Sequence, residues 1–352
     1  MNPTEPRAST VVLDPEERTA LEAILNDPAH RAGLEQRTWT LTGISDRAEG
    51  LVRISGTLSG DDVLVGWDGP NVAVRLAVPV ASPEIAGAAA ITGAGTDNPG
   101  TGADDPGAGD GEPGAGLATS SRVYTVAGFD AAQRRMDIDV VRHADPSPMM
   151  TWLAGARPGD TIVVTGPRGH QLPVPGEPRH FLADSSGLPA LAGILAGTAR
   201  GGSRDHVVVA APEDHVDLFI AELAAYGAEI GADVDLVVVD PSAAGASGAS
   251  AASADSDDEP AAGPLSAVFR SLDVPAGASV WAAGERDDIR AIRARCRDEL
   301  GLPRERMRLS GYWRRGSSAT MADLNRLRRM RELLAAGKGF DAADDLDLDV
   351  EG

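Results

Sequence analysis

The sequence predicts an antiparallel β-barrel followed by a doubly wound parallel sheet, and three observations carry that prediction. Short alternating strands separated by Gly/Pro turns occupy the first half. From about residue 179 the rhythm changes, and apolar strands alternate with helical segments, as in a parallel sheet with helices on both faces. Two stretches with almost no packable side chains interrupt this order, and folded-looking sequence resumes abruptly on each side. At 352 residues the chain can bury two separate cores.

The elements follow in order. Residues 14–32, "DPEERTALEAILNDPAHRA", predict a leader helix with Asp14 as N-cap and Pro15 in the first turn. "GLVRISGTLS" (50–59) and "NVAVRLAVPV" (71–80) alternate as strands, and so do "RVYTVAGF" (122–129), "RMDIDVVRH" (135–143) and "DTIVVTGP" (160–167). Between these groups, residues 93–116 hold nine Gly and three Pro, and their only apolar side chains are alanine methyls. Such a segment cannot offset its ordering entropy, so a disordered insertion is expected there and again at 241–263. The second domain reads "HFLAD" (180–184), helix, "HVVVAA" (206–211), helix, "ADVDLVVVD" (232–240), helix 264–272, and "ASVWAAG" (278–284). A helix over 285–300 and a fifth strand, "RMRLSGYW" (306–313), complete it. A terminal helix is expected near 320–336. The domain reading is 1–36 leader, 37–178 barrel, 179–318 α/β domain and 319–352 C-terminal helix with acidic tail.

Composition excludes several function classes. The net charge of −21 opposes nucleic acid as a partner, because phosphates are repelled. Fifteen of the carboxylates lie in 93–116, 241–263 and 341–352, which contain no Lys or Arg, and the remaining chain carries −6. Cys296 is the single cysteine, so there is neither an internal disulfide nor a cysteine-ligated metal or iron–sulfur centre. No run of 18 apolar residues exists and the N-terminus lacks a signal-peptide core, so a cytoplasmic protein without membrane insertion is expected. Six histidines show no metal-ligand spacing, and no metal site is expected. The G-x-G-x-x-G at Gly109, Gly111 and Gly114 lies in low-complexity sequence with no strand before it, and is dismissed.

Candidate functional residues begin with "TSSRVYTV" (119–126). Arg122 offers a planar fork for a pyrophosphate, Tyr124 a face for a flat ring, and Thr125 a hydroxyl. The competing reading is an ordinary barrel strand with an exposed arginine and a half-buried tyrosine. Companions sharpen the choice: "VVRHADPSPMMTWLAGARPGDTIVVTGPRG" (140–169), "FLADSSGLPAL" (181–191), "VWAAGE" (280–285) and "GYWRRG" (311–316). Over 37–80 and 120–316 the chain resembles the siderophore-interacting protein family, flavin-dependent ferric-siderophore reductases of the ferredoxin reductase superfamily.

The resemblance implies an FAD site on the barrel and a nicotinamide nucleotide site, NADPH or NADH, on the sheet domain. Arg122, Tyr124 and Thr125 match the family's flavin strand, with Ala127 where members usually have a second arginine. His143 and Trp152 match the residues bracketing the phosphate and adenine segment, where a small turn lets backbone amides approach the pyrophosphate. Here Met149 and Met150 bring bulk into that turn, Ser147 takes a glycine-like place, and Thr151 precedes Trp152. Asp184 and Ser186 match the nucleotide turn, as do Ala283, Gly284 and Glu285 at a later strand end. Alternatives remain for these: Asp184 as a helix N-cap, and Glu285 favourable at a helix N-terminus. The acidic residue that members often place after the second strand is replaced by Ala210 and Ala211.

The implied activity is transfer of electrons from NAD(P)H through FAD to a ferric siderophore, releasing iron. Because a flavin divides the hydride's electron pair for one-electron iron, no catalytic acid, base or nucleophile is expected. Trp313, Arg314 and Arg315 are candidates for receiving an anionic siderophore, against the plainer reading that Tyr312 and Trp313 pack the domain interface and both arginines are solvated. Three other readings stay open: a reductase of another acceptor, a ferredoxin-fed reductase, and a flavin-free binding protein of the same fold.

Overall fold

The computed structural model describes residues 33–79, 119–143, 147–169, 172–173, 178–198, 205–226, 234–241, 263–315, 328–329 and 331–337. The expected leader helix, the insertion at 93–116, nearly all of 241–263 and the acidic tail lie outside the described residues.

Six strands close an antiparallel barrel: β1 (Glu35–Ala48), β2 (Leu51–Leu58), β3 (Val72–Pro79), β4 (Thr119–Asp130), β5 (Arg135–Val141) and β6 (Thr161–Gly169). Their order is β1-β2-β5-β4-β3-β6, and β6 pairs back onto β1. The closing strand β1 is missing from the strands that alternation picks out. Two register shifts against β2, at Leu41/Gly43 and Asp46/Ala48, break its period of two. Trp39, Ile54, Leu76, Met136 and Ile138 fill the interior and are fully buried.

A helix the sequence reading does not anticipate, α1 (Pro148–Gly155), lies on this core. Ser147 is its N-cap, with Oγ accepting from the Met150 N–H at 3.2 Å, and Pro148 occupies the first turn. Met149 and Leu153, four apart and hence on one face, are buried in the barrel core. Met149 is thus a core residue and Met150 is partly buried against that core, while residues 144–146 of the expected phosphate turn lie outside the described residues.

The second domain is a five-stranded parallel sheet of β7 (Arg179–Asp184), β8 (Asp205–Ala210), β9 (Val234–Val239), β10 (Ser279–Glu285) and β11 (Met307–Trp313), in the order β11-β10-β7-β8-β9. Helices α2 (Leu188–Gly197) and α3 (Glu213–Ala225) share one core with Phe181, Val207 and Trp281. On the opposite face α4 (Pro264–Ser271) and α5 (Arg286–Ala294) pack with Leu182, Val208 and Val280. Successive side chains of a strand point to opposite faces, so a sheet covered on both sides needs unbroken apolar runs such as "VVVA". Burying Phe181 completely contributes roughly 2–3 kcal/mol. The single helix expected over 285–300 ends as α-helix at Ala294 and continues as a π-helical turn, Arg295–Glu299, ahead of Gly301.

The two domains meet along specific bonds. α2 packs against β4. Glu222 on α3 is held by Arg47 at 3.0 Å and by Arg53, whose guanidinium also grips both oxygens of Asp139 at 2.7 Å. The Tyr226 hydroxyl donates to the Ala127 carbonyl at 2.8 Å, so position 127, buried, serves this interface.

Candidate functional site at the strand-order switch

The strand order reverses between β7 and β10, the place where open α/β sheets bind ligands beyond their carboxyl ends. The chain leaves β7 through Asp184-Ser185-Ser186-Gly187 and enters α2. Asp184 Oδ1 accepts from the Ser186 N–H at 2.8 Å and from the Ser186 hydroxyl at 2.5 Å. The α2 N-cap is Gly187, not Asp184, so the helix-cap reading of Asp184 is not what forms: its carboxylate organises the turn instead.

Two glycines set how closely this turn approaches β10. A Cβ on Gly187 would stand 2.7 Å from the Ala283 carbonyl oxygen, and one on Gly284 would stand 2.7 Å from Asp184 Oδ2. With both positions bare, the Trp313 indole on β11 reaches past β10 and donates to Asp184 Oδ2 at 2.7 Å. Burial pushes the Asp184 carboxyl above its ordinary range, and the bonds from Ser186 and Trp313 oppose that rise.

Glu285 is the N-cap of α5, accepting from the N–H groups of Asp287 at 2.8 Å and Asp288 at 3.0 Å. Its other oxygen accepts from the Arg315 N–H at 3.1 Å. Arg314 pairs with Asp287 at 3.4 Å. The segment 313–315 is thus fastened across the ends of β10 and β7. Tyr312 packs against the α2/α3 core of the sheet domain, while Trp313 is 43 % exposed.

On the barrel, β4 carries Arg122 and Thr125, both buried, and half-buried Tyr124. Tyr124 packs against the barrel core, and so do Met150 and Trp152 of α1. Burial raises the Tyr124 phenol pKa, opposed by the charge of Arg122. Thr151 and His143 are exposed, and His143 adjoins residues 144–146, which lie outside the described residues. The donors on β4, a guanidinium, a phenol and a hydroxyl beside apolar surface, fit a flat ring joined to a diphosphate.

Sequence reasoning missed one residue. His215, at the start of α3, is buried and bridges the domains: Nδ1 lies 2.9 Å from Ser185 Oγ and Nε2 lies 2.8 Å from the Glu49 carbonyl oxygen. A carbonyl only accepts, so Nε2 carries a proton. The sole sequence signal was a histidine one turn into a helix.

Two family models match this chain in order: "Siderophore-interacting FAD-binding domain" over residues 105–171 and "Siderophore-interacting protein" over 178–316. The chain is 28% identical over 331 residues to ferric acinetobactin reductase of Acinetobacter baumannii, covering 92% of this chain and 94% of that one. It is 27% identical over 203 residues to ferric vibriobactin reductase ViuB of Vibrio cholerae, covering 56% and 65%. The solved structure of the siderophore-interacting protein from Acinetobacter baumannii superposes with a TM-score of 0.62 at 24% identity, covering 86% of this chain and 99% of that one. Among the described residues, no helix is long and apolar enough to cross a membrane.

Proposed function

The chain belongs to the siderophore-interacting protein family, and we propose from that premise that it reduces ferric siderophores with electrons from a nicotinamide nucleotide passed through FAD. The observation that carries this reading is the packing of β4 against α2. β4 holds the residues matching the flavin strand, and α2 begins at the Asp184–Gly187 turn. The two sites are thereby built on touching elements.

In this reading Arg122, Tyr124, Thr125, His143, Met150, Thr151 and Trp152 hold FAD, with Arg122 facing the diphosphate and Tyr124 the ring system. Asp184, Ser186, Ala283, Gly284 and Glu285 form the donor crevice, where bare Gly187 and Gly284 let the Asp184 turn close on the end of β10. Bound FAD supplies the division of a two-electron hydride into the single electrons that Fe(III) accepts. The residues bind, orient and exclude water; none transfers a proton to substrate. Arg315 and Arg314 attract an anionic ferric chelate toward an otherwise acidic molecule.

The purified chain tests this by its visible spectrum. Flavin bands should be present, bleach anaerobically on adding a nicotinamide nucleotide, and return when a ferric siderophore is added, with Fe(II) captured by a chromogenic chelator. A colourless protein that binds no added FAD would sink the reading.

A further inference from the structure

We propose that the donor nucleotide is NADH rather than NADPH, selected by a carboxylate-rimmed groove at the carboxyl ends of β8 and β9. The inference rests on the reading that a nicotinamide nucleotide binds this domain, and adds which one.

The groove, about 700 Å³, lies between α3 and the edge strand β9. Val216 and Ile220 form one wall, Leu236 and Val238 the other, and Ile220 and Val238 are 39% and 49% exposed. Apolar walls of this kind suit a planar base. The register pairs Asp184 with Ala210 and Ala210 with Val239, so the mouth of the groove lies two strand spacings, about 10 Å, from the Asp184–Gly187 turn. His215 ties the first turn of α3 to Ser185, which fixes the groove relative to that turn. A nucleotide with its diphosphate at the turn directs its adenosine here.

The rim decides the ribose. Glu213, Asp217 and Asp240 line it, and among the described lining residues there is no Lys or Arg. A vicinal diol donates hydrogen bonds to carboxylates, and this is how dinucleotide folds hold an unphosphorylated ribose. A 2′-phosphate, with close to two negative charges, meets the Glu213 and Asp217 carboxylates instead. The positive end of α3 offers it no relief, because Glu213 and Asp214 in the first turn already offset that dipole.

Calorimetric titration of the full chain with ADP-ribose and with 2′-phospho-ADP-ribose tests this without relying on turnover. ADP-ribose should bind at least about tenfold more tightly at low salt, with the gap narrowing as KCl rises. The double variant Glu213→Gln/Asp217→Asn should bring the two affinities together. Equal affinities in the wild type, tighter binding of the 2′-phosphate, or an unchanged gap in the variant would overturn NADH selection while leaving a nucleotide site in place. If neither compound binds, the nicotinamide-donor reading falls and this inference with it.

Discussion

Trp313 donates its indole N–H to Asp184 across 2.7 Å, passing over β10 at the one position, Gly284, that carries no side chain. The bond joins the last strand of the sheet to the turn after the first, so it fixes that turn from the side opposite to His215. An acceptor wall and a staple for the donor turn make different demands on Trp313, and kinetics separates them.

Trp313→Phe keeps the ring but removes the N–H, leaving Asp184 Oδ2 without that partner. Stability should fall by about 1–2 kcal/mol in urea unfolding. The donor nucleotide's KM should rise while that of the ferric chelate changes little. A change confined to the chelate's KM would assign Trp313 to the acceptor side.

Gly284→Ala places a methyl 2.7 Å from the Asp184 carboxylate, inside contact distance. The turn must move to accept it. The expected outcome is a folded protein by circular dichroism, with donor binding weakened about tenfold or more in equilibrium titration.

Tyr124→Ala removes a half-buried ring that packs against the barrel core. The variant should lose flavin or shift its absorbance bands with the barrel still folded. Equal flavin content and an unaltered spectrum would show that Tyr124 is only core.

Arg315→Gln should raise the KM for an anionic ferric chelate, more at low salt than at high, and leave a neutral ferric hydroxamate nearly unaffected. Arg314→Gln should do less, because Asp287 already offsets its charge.

His180 gives the pH dependence. It is fully buried, stacked on His206 at 4.8 Å between ring centroids, and neither of its ring nitrogens has a hydrogen-bond partner. Burial first, then the charges of His206 and Arg295, lower its pKa to about 4. The folded state thus resists protonation that the unfolded chain accepts below about 6.5, and stability falls as pH drops from there to about 4. The loss from this group is on the order of 3 kcal/mol. His180→Leu should flatten the stability profile over that window in denaturant titrations at stepped pH; an unchanged slope would locate the acid sensitivity elsewhere.

The sequence alone determined the two-domain order, five of the six barrel strands and all five parallel strands, because these depend on local burial patterns. Runs such as "VVVA" and "VWAAG" are apolar throughout since both faces of that sheet are covered, and period-two alternation marks strands with one face inside. Asp184, Ser186 and Gly284 were legible as a strand-end constellation. The tertiary structure alone decided what these residues touch. β1 closes the barrel in spite of bulges that erase its period, and α1 forms because Met149 and Leu153 find the barrel core. Trp313 and Asp184 are 129 residues apart, and His215 and Glu49 are 166 apart. Those bonds follow from which strand lies beside which and from how the helices dock on the barrel, and a local period in the chain does not encode contacts over such separations.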